Sequence, residues 1–307
     1  MQLGTGLGWH EARCTDTRVT MVQLIPKSTT TQHRRKDTSA SGDAALSRVA
    51  DSYELYVTQH VQSVFRPGAK WRCPGVQIDA GGFISGRPGG DFYIAALGRH
   101  NEVSLAVGTV NGSGLLPTLC KALIAGLIHL QARQASSPLV VVQKVSSLLG
   151  EFNMNTPRVP VLCSVFVGLI DRRRETFEYC RAGDCRPFLQ TEGGEWIELP
   201  PTCRSLGYAA KTDTDTHALV MEASQIERLA VITAGCSGNG KGTTNNVDAA
   251  LLSSIPCGSA SRQVRAMLAK ICPERHHGAC PERDVSVVVA DLRYSEDSDA
   301  PATTSPC

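Results

Sequence analysis

Gly89-Gly90-Asp91-Phe92-Tyr93 is followed, one strand later, by Val107-Gly108-Thr109-Val110-Asn111-Gly112-Ser113-Gly114. Residues 91–97 and 103–110 are apolar, aromatic or β-branched runs bounded by turn residues, so both read as strands. Beyond Gly114, Leu115, Leu119, Leu123 and Leu127 recur at helical spacing, reinforced by Leu116, Ile124 and Ile128. A strand pair therefore feeds a long helix through a glycine-rich turn. One acid, Asp91, stands at the start of the pair.

Working outward, residues 45–64 carry helical spacing up to the break at Pro67, and residues 76–84 read as another strand. Pro138 suits the first turn of a second helix running to about residue 152. Residues 161–171 and 175–181 are strands joined by a charged turn, and residues 187–190 and 196–199 continue the meander. Residues 228–233 form a further strand. Helices at 247–255 and 261–271 precede a last strand at 285–292. Strand runs flanking helix pairs, with hairpin-length turns, argue for an α+β fold with antiparallel sheets. No linker-like stretch divides residues 46–293, so they are expected to form one domain. Residues 27–43 are nearly free of large apolar side chains, which makes residues 1–45 a flexible arm. Residues 294–307, rich in Ser, Asp, Pro and Thr, are expected to be a disordered tail.

The 307 residues are 42% hydrophobic and 20% charged, ordinary for a globular chain able to bury a core. A formal charge of +2 supplies no strong field for nucleic acid or a membrane surface. The basic runs His33-Arg34-Arg35-Lys36 and Asp171-Arg172-Arg173-Arg174 read as solvated surface. Residues 1–8 lack the basic start and apolar core of a secretory signal. Residues 115–130 and 161–170 read as too short or too interrupted to cross a bilayer. The 12 cysteines are scattered, and Cys120 and Cys163 lie in apolar runs where the thiol acts as a small hydrophobe. Reduced thiols in a cytoplasm are the expectation.

Taken in order, Gly89-Gly90-Asp91-Phe92-Tyr93, the Gly108 to Gly114 run before a long helix, Ala182-Gly183-Asp184 after a strand, Thr233-Ala234-Gly235 and Asp284-Val285-Ser286 resemble the PPM-type phosphatase superfamily. The branch they are most similar to contains the stage II sporulation protein E and RsbU-like regulators. The resemblance implies an α/β/β/α sandwich of two antiparallel sheets flanked by helices. It also implies hydrolysis of phosphoserine or phosphothreonine by a water shared between two Mn²⁺ or Mg²⁺ ions, which lower its pKa. No side chain beyond that metal-bound water is implied as a catalyst. Hard cations of this kind prefer oxygen ligands.

Carried over by position, Asp91 matches the first acidic ligand and Asp284 the last, with the Gly108 backbone beside them. Thr109 stands at the bridging aspartate and Ala234 at the aspartate of the Thr-Asp-Gly turn. Ser113 and Asp184 replace histidines, and Ile94 replaces a second acid. Two cations carry +4, and two carboxylates offset half of it. Each lost ligand commonly costs about 10–100-fold in affinity. The expectation is a degenerate or weakly active member that regulates through a phosphoprotein or regulatory protein partner. The alternative is an active phosphatase with a rearranged ligand set, drawing a carboxylate from Asp184, Asp213 or Asp215.

Three other patterns compete. Gly235 to Lys241 has the spacing of a phosphate-binding loop, but Gly242 replaces the Ser or Thr that would hold Mg²⁺, so a glycine-rich surface loop is expected. Cys272, His276, His277 and Cys280 lack the close pairing of a zinc site and read as a plain loop. Gly4-Thr5-Gly6-Leu7-Gly8 has no preceding strand and is not a dinucleotide fingerprint.

Overall fold

The structure, a computed structural model, describes residues 52–53, 56–58, 60, 70–73, 75–83, 89–155, 160–208, 216–233, 247–272 and 284–294. The expected arm lies outside the described residues, as does the expected tail after residue 294. Residues 52, 53, 56–58 and 60, within the stretch expected to be helical, are helical.

Eleven strands alternate with helices along the described chain: β1 (Trp71–Cys73), β2 (Gly75–Phe83), β3 (Gly89–Leu97), β4 (Val103–Ser113), α1 (Leu115–Arg133), α2 (Pro138–Asn155), β5 (Cys163–Asp171), β6 (Thr176–Ala182), β7 (Arg186–Thr191), β8 (Trp196–Glu198), β9 (Leu219–Glu222), β10 (Ile226–Ile232), α3 (Ala249–Ser253), α4 (Ala260–Ile271) and β11 (Val285–Tyr294). They build a six-stranded sheet, β1-β2-β11-β10-β7-β8, and a five-stranded sheet, β3-β4-β5-β6-β9. Every named strand pair is antiparallel. The sheets lie face to face, with α1 and α2 outside one and α3 and α4 outside the other. The fold has the antiparallel sheets that the strand and helix pattern implied and the α/β/β/α sandwich that the resemblance implied.

The sequence explains the layering. Val285, Val287, Val288, Val289 and Ala290 are all buried because β11 is central and covered on both faces, so its apolar run is unbroken. Between the sheets sit Phe166, Phe177 and Tyr179, with ring centroids 6.0 and 5.8 Å from that of Tyr179. Pro138 opens α2, where its missing N–H costs nothing. The Asp248 side chain caps α3 by accepting the Leu251 N–H at 2.7 Å.

One expectation about α1 needs correction. Its length and apolar content do meet the requirement for crossing a membrane, yet one face packs on β3 and β4. That face carries Pro117, Cys120, Lys121, Ile124, Ala125 and Ile128, whereas Leu115, Leu119 and Leu123 are exposed. Leu127, the last of the leucine stripe, is partly buried and packs against the core. The short edge strands β1 and β9 were not anticipated, since three or four residues are too few to show a period.

Burial also sets an alkaline limit on stability. The Cys163 thiol is pushed up to about 12 by burial alone. Burial likewise lifts Cys180 to about 12, and the Tyr179 hydroxyl to about 12 against the opposing charge of Arg181. All three are neutral in the fold but ionise earlier once exposed, so the unfolded chain releases protons first. Their stabilisation is complete below about pH 9 and is lost as pH rises from there towards 12, at up to about 1.4 kcal/mol per pH unit for a fully buried group. Urea unfolding at pH 8, 9, 10 and 11 should show a steepening decline. A flat profile would contradict this account.

Candidate metal centre

The side-chain alternation that fills the inter-sheet core with Tyr93, Val107, Phe166, Val231 and Val288 also points Asp91, Thr109, Ser164, Thr233 and Ser286 into the same layer. At one end of the sandwich the apolar layer thus gives way to a polar one. Register sets Asp91 opposite Thr109 and Thr109 opposite Ser164 across β3, β4 and β5. From the facing sheet, the Thr233 hydroxyl donates to Asp91 Oδ2 at 2.7 Å and accepts the Ser286 N–H at 2.9 Å. Asp91 is therefore tied across the sandwich to the β10–β11 ladder.

Asp284, just before β11, accepts the Gly89 N–H on Oδ2 at 3.1 Å. Both carboxylates are deeply buried, Asp91 at 1% and Asp284 at 5% exposure. The paired glycines make this approach possible. A Cβ on Gly89 would stand 2.5 Å from Asp284 Oδ2, and one on Gly90 would overlap the Val110 carbonyl. From the helix layer Lys121, fully buried, donates its Nζ to the Gly89 carbonyl at 3.1 Å.

The rim is formed by the turn after β6. Gly183 takes φ +71°, and a Cβ there would run into the Ser164 and Ser205 hydroxyls. The Asp184 N–H donates to Ser164 Oγ at 3.1 Å, and Ser164 and Ser205 share a 3.2 Å hydrogen bond. The Asp184 carboxylate is exposed. Burial foremost, then the fields of Cys163, Asp91 and Asp184, raise the Cys185 thiol well above its ordinary value. Ser164 faces Thr109, and Thr109 faces Asp91, so the hydrogen bond from the Asp184 N–H puts residue 184 at the same end as Asp91.

The structure therefore brings together Asp91, Thr109 and Asp284, with Asp184 on the rim. Gly108 faces the other way: a Cβ there would press on the Phe92 ring at 2.5 Å, so the ring's packing requires the glycine. Ile94 packs in the core under α1 and α2, on the opposite face of β3 from Asp91. Ala234, Asp213, Asp215, residues 235–241, His276, His277 and Cys280 lie outside the described residues, as does the Ser113 side chain. Cys272 is buried among apolar neighbours beneath α4. Lys121 escaped the sequence reading, although it repeats with Pro117, Ile124, Ala125 and Ile128 on one helical face, and that periodicity was the available signal.

The described residues offer a pair of divalent cations few ligands. Among them, no group of three or more His, Cys, Asp or Glu is placed to hold a metal ion. The residue facing Asp91 is a neutral threonine, and a lysine reaches the Gly89 carbonyl from the helix layer. Mg²⁺ in particular demands a nearly complete octahedron of oxygens.

Two antiparallel sheets face to face, helices outside and acids at one end of the inner layer define a PPM-type phosphatase fold. Residues 99–293, more than half of the chain, match the model of the Stage II sporulation protein E (SpoIIE) family, and the chain belongs to that family. Solved structures agree on the fold. The SiaA-PP2C domain of Pseudomonas aeruginosa is 17% identical with a TM-score of 0.59, over 82% of this chain and 99% of that one. RsbX in complex with magnesium is 16% identical with a TM-score of 0.55, over 73% and 98%. The RsbU and RsbW domains of a Mycobacterium tuberculosis protein are 20% identical with a TM-score of 0.52, over 71% of this chain and 60% of that one. No curated protein matches the chain in sequence.

Proposed function

We propose that this SpoIIE-family chain is a degenerate or weakly active phosphatase that regulates by binding a phosphoprotein or regulatory protein partner in the cytoplasm. The observation that carries this reading is the cross-strand pair Asp91–Thr109. In the family that partner position holds the aspartate that bridges the two metals. A threonine hydroxyl there is neutral and a poor ligand for a hard divalent cation. The protein relatives point the same way for partners: one solved structure carries RsbU and RsbW domains together in a single protein.

The competing reading is an active Mn²⁺- or Mg²⁺-dependent phosphatase with Asp184 supplying the missing carboxylate. What favours it is the position of Asp184, one hydrogen bond from Ser164 and thus one strand from Thr109. Calorimetric titration of the full chain with Mn²⁺, with phosphopeptide turnover followed on the same sample, separates the two. Neither binding nor turnover at millimolar Mn²⁺ is expected. Turnover that disappears in Asp91→Asn and Asp284→Asn would overturn the degenerate reading in favour of the enzyme.

A further inference from the structure

We infer that the ammonium of Lys121 is a built-in cation that supplies, from inside the protein, part of the positive charge that metal ions supply elsewhere in the family. The inference rests on the degenerate-site reading and gives it a physical cause. A lysine is among the residues least often fully buried, and a buried charge is tolerated where opposite charge and hydrogen-bond acceptors surround it. Lys121 has no exposed surface at all. Its Nζ donates to the Gly89 carbonyl at 3.1 Å, while the N–H of the same glycine donates to Asp284 Oδ2 at 3.1 Å. One residue's peptide groups therefore hold the cation and the anion. The extent of a single residue limits their separation to about 10 Å. Within a buried, poorly screened layer that distance still carries appreciable attraction. Asp91, two residues further along β3, is the second buried anion of the same layer.

The arrangement also gives the two buried acids a compensating charge. Two buried carboxylates in one layer repel, and the ammonium held at the Gly89 carbonyl offsets one of the charges. A cation already in place makes the layer less attractive to a second, mobile one. Lys121 is thus a positioning residue that keeps Asp284 against Gly89 and disfavours metal entry.

The test is a double-mutant cycle on the full chain, Lys121→Met against Asp284→Asn, read by urea unfolding. Removing either partner alone should cost more than removing both in proportion, with a coupling of about 10-fold or greater in the unfolding constant. A purely additive cycle overturns the inference. Should Lys121→Met alone fail to fold, its rescue by Asp284→Asn is the expected result, and no rescue counts against the pairing. A second measurement needs only the milder variant: acetic-anhydride labelling of Lys121, read by mass spectrometry, should speed up about 10-fold or more in Asp284→Asn. Unchanged protection overturns the inference. Tight Mn²⁺ binding by the unmodified chain would instead overturn the degenerate-site reading, whatever the cycle shows.

Discussion

Thr109→Asp, Ala234→Asp and Lys121→Met, combined in one chain, are expected to raise Mn²⁺ affinity by about 10²–10⁴-fold over the natural chain in calorimetry. Each restored ligand is worth on the order of 10–100-fold, and removal of the ammonium adds to the attraction. Each of the three changes makes the site more negative by one charge. The site geometry supports the first directly, because residue 109 faces Asp91 across the β3–β4 ladder and points into the same layer. Like charges directly opposite each other destabilise a sheet, so without metal the variant should melt below the natural chain. Added Mn²⁺ should then raise its Tm by mass action, which gives a readout independent of turnover. The same pair of acids introduced with Lys121 retained should bind more weakly. A well-folded triple variant indifferent to Mn²⁺ would show that carboxylates at 109 and 234 are not the decisive deficit, and would shift attention to Ser113 and the exposed Asp184.

Gly90→Val should abolish folding or destabilise the chain by more than about 3 kcal/mol, the scale of severe overpacking against a rigid neighbour. Gly90 lies beneath the site at a register shift between Gly89 and Gly90 in the β3–β4 pair. Any Cβ there overlaps the Val110 carbonyl oxygen and crowds its carbon and nitrogen at 2.7 Å. These are backbone atoms of the adjoining strand and cannot rotate away. Gly126 in α1 provides the matched contrast, since nothing lies within 4 Å of a Cβ built on it and it is exposed on a helix. Gly126→Ala should therefore stabilise by about 0.5–1 kcal/mol. Thermal melts followed by circular dichroism would compare the two. A folded Gly90→Val protein with a native Tm would refute the packing account of the Gly89-Gly90 pair.

Much of the fold is legible in the chain because its signals are local. The strand at 103–110, the helix opened by Pro138 and the valine run of β11 each announce themselves within a dozen residues. The candidate site was legible where the resemblance supplied positions, at Asp91, Thr109 and Asp284, and the β3–β4 register puts the first two side by side. Gly108 shows the limit of that transfer, since its missing side chain accommodates Phe92 on the face away from the acids. The leucine stripe of α1 shows another. Helical spacing identifies a face but not its direction, and here Leu115, Leu119 and Leu123 of the stripe are exposed.

By itself the sequence determined the order of strands and helices, the family outline from Gly89 to Asp284, and the absence of carboxylates at 109 and 234. These are matters of residue identity and short-range periodicity. Tertiary structure alone decided that Thr233 holds Asp91 from 142 residues away and that Gly89 holds Asp284 from 195 residues away. It also decided that Lys121 turns inward to the Gly89 carbonyl. The physical reason is that sheet pairing and sheet-on-sheet stacking choose which distant residues meet. A lysine's preference for water yields when the packing of α1 on β3 places a backbone acceptor within its reach.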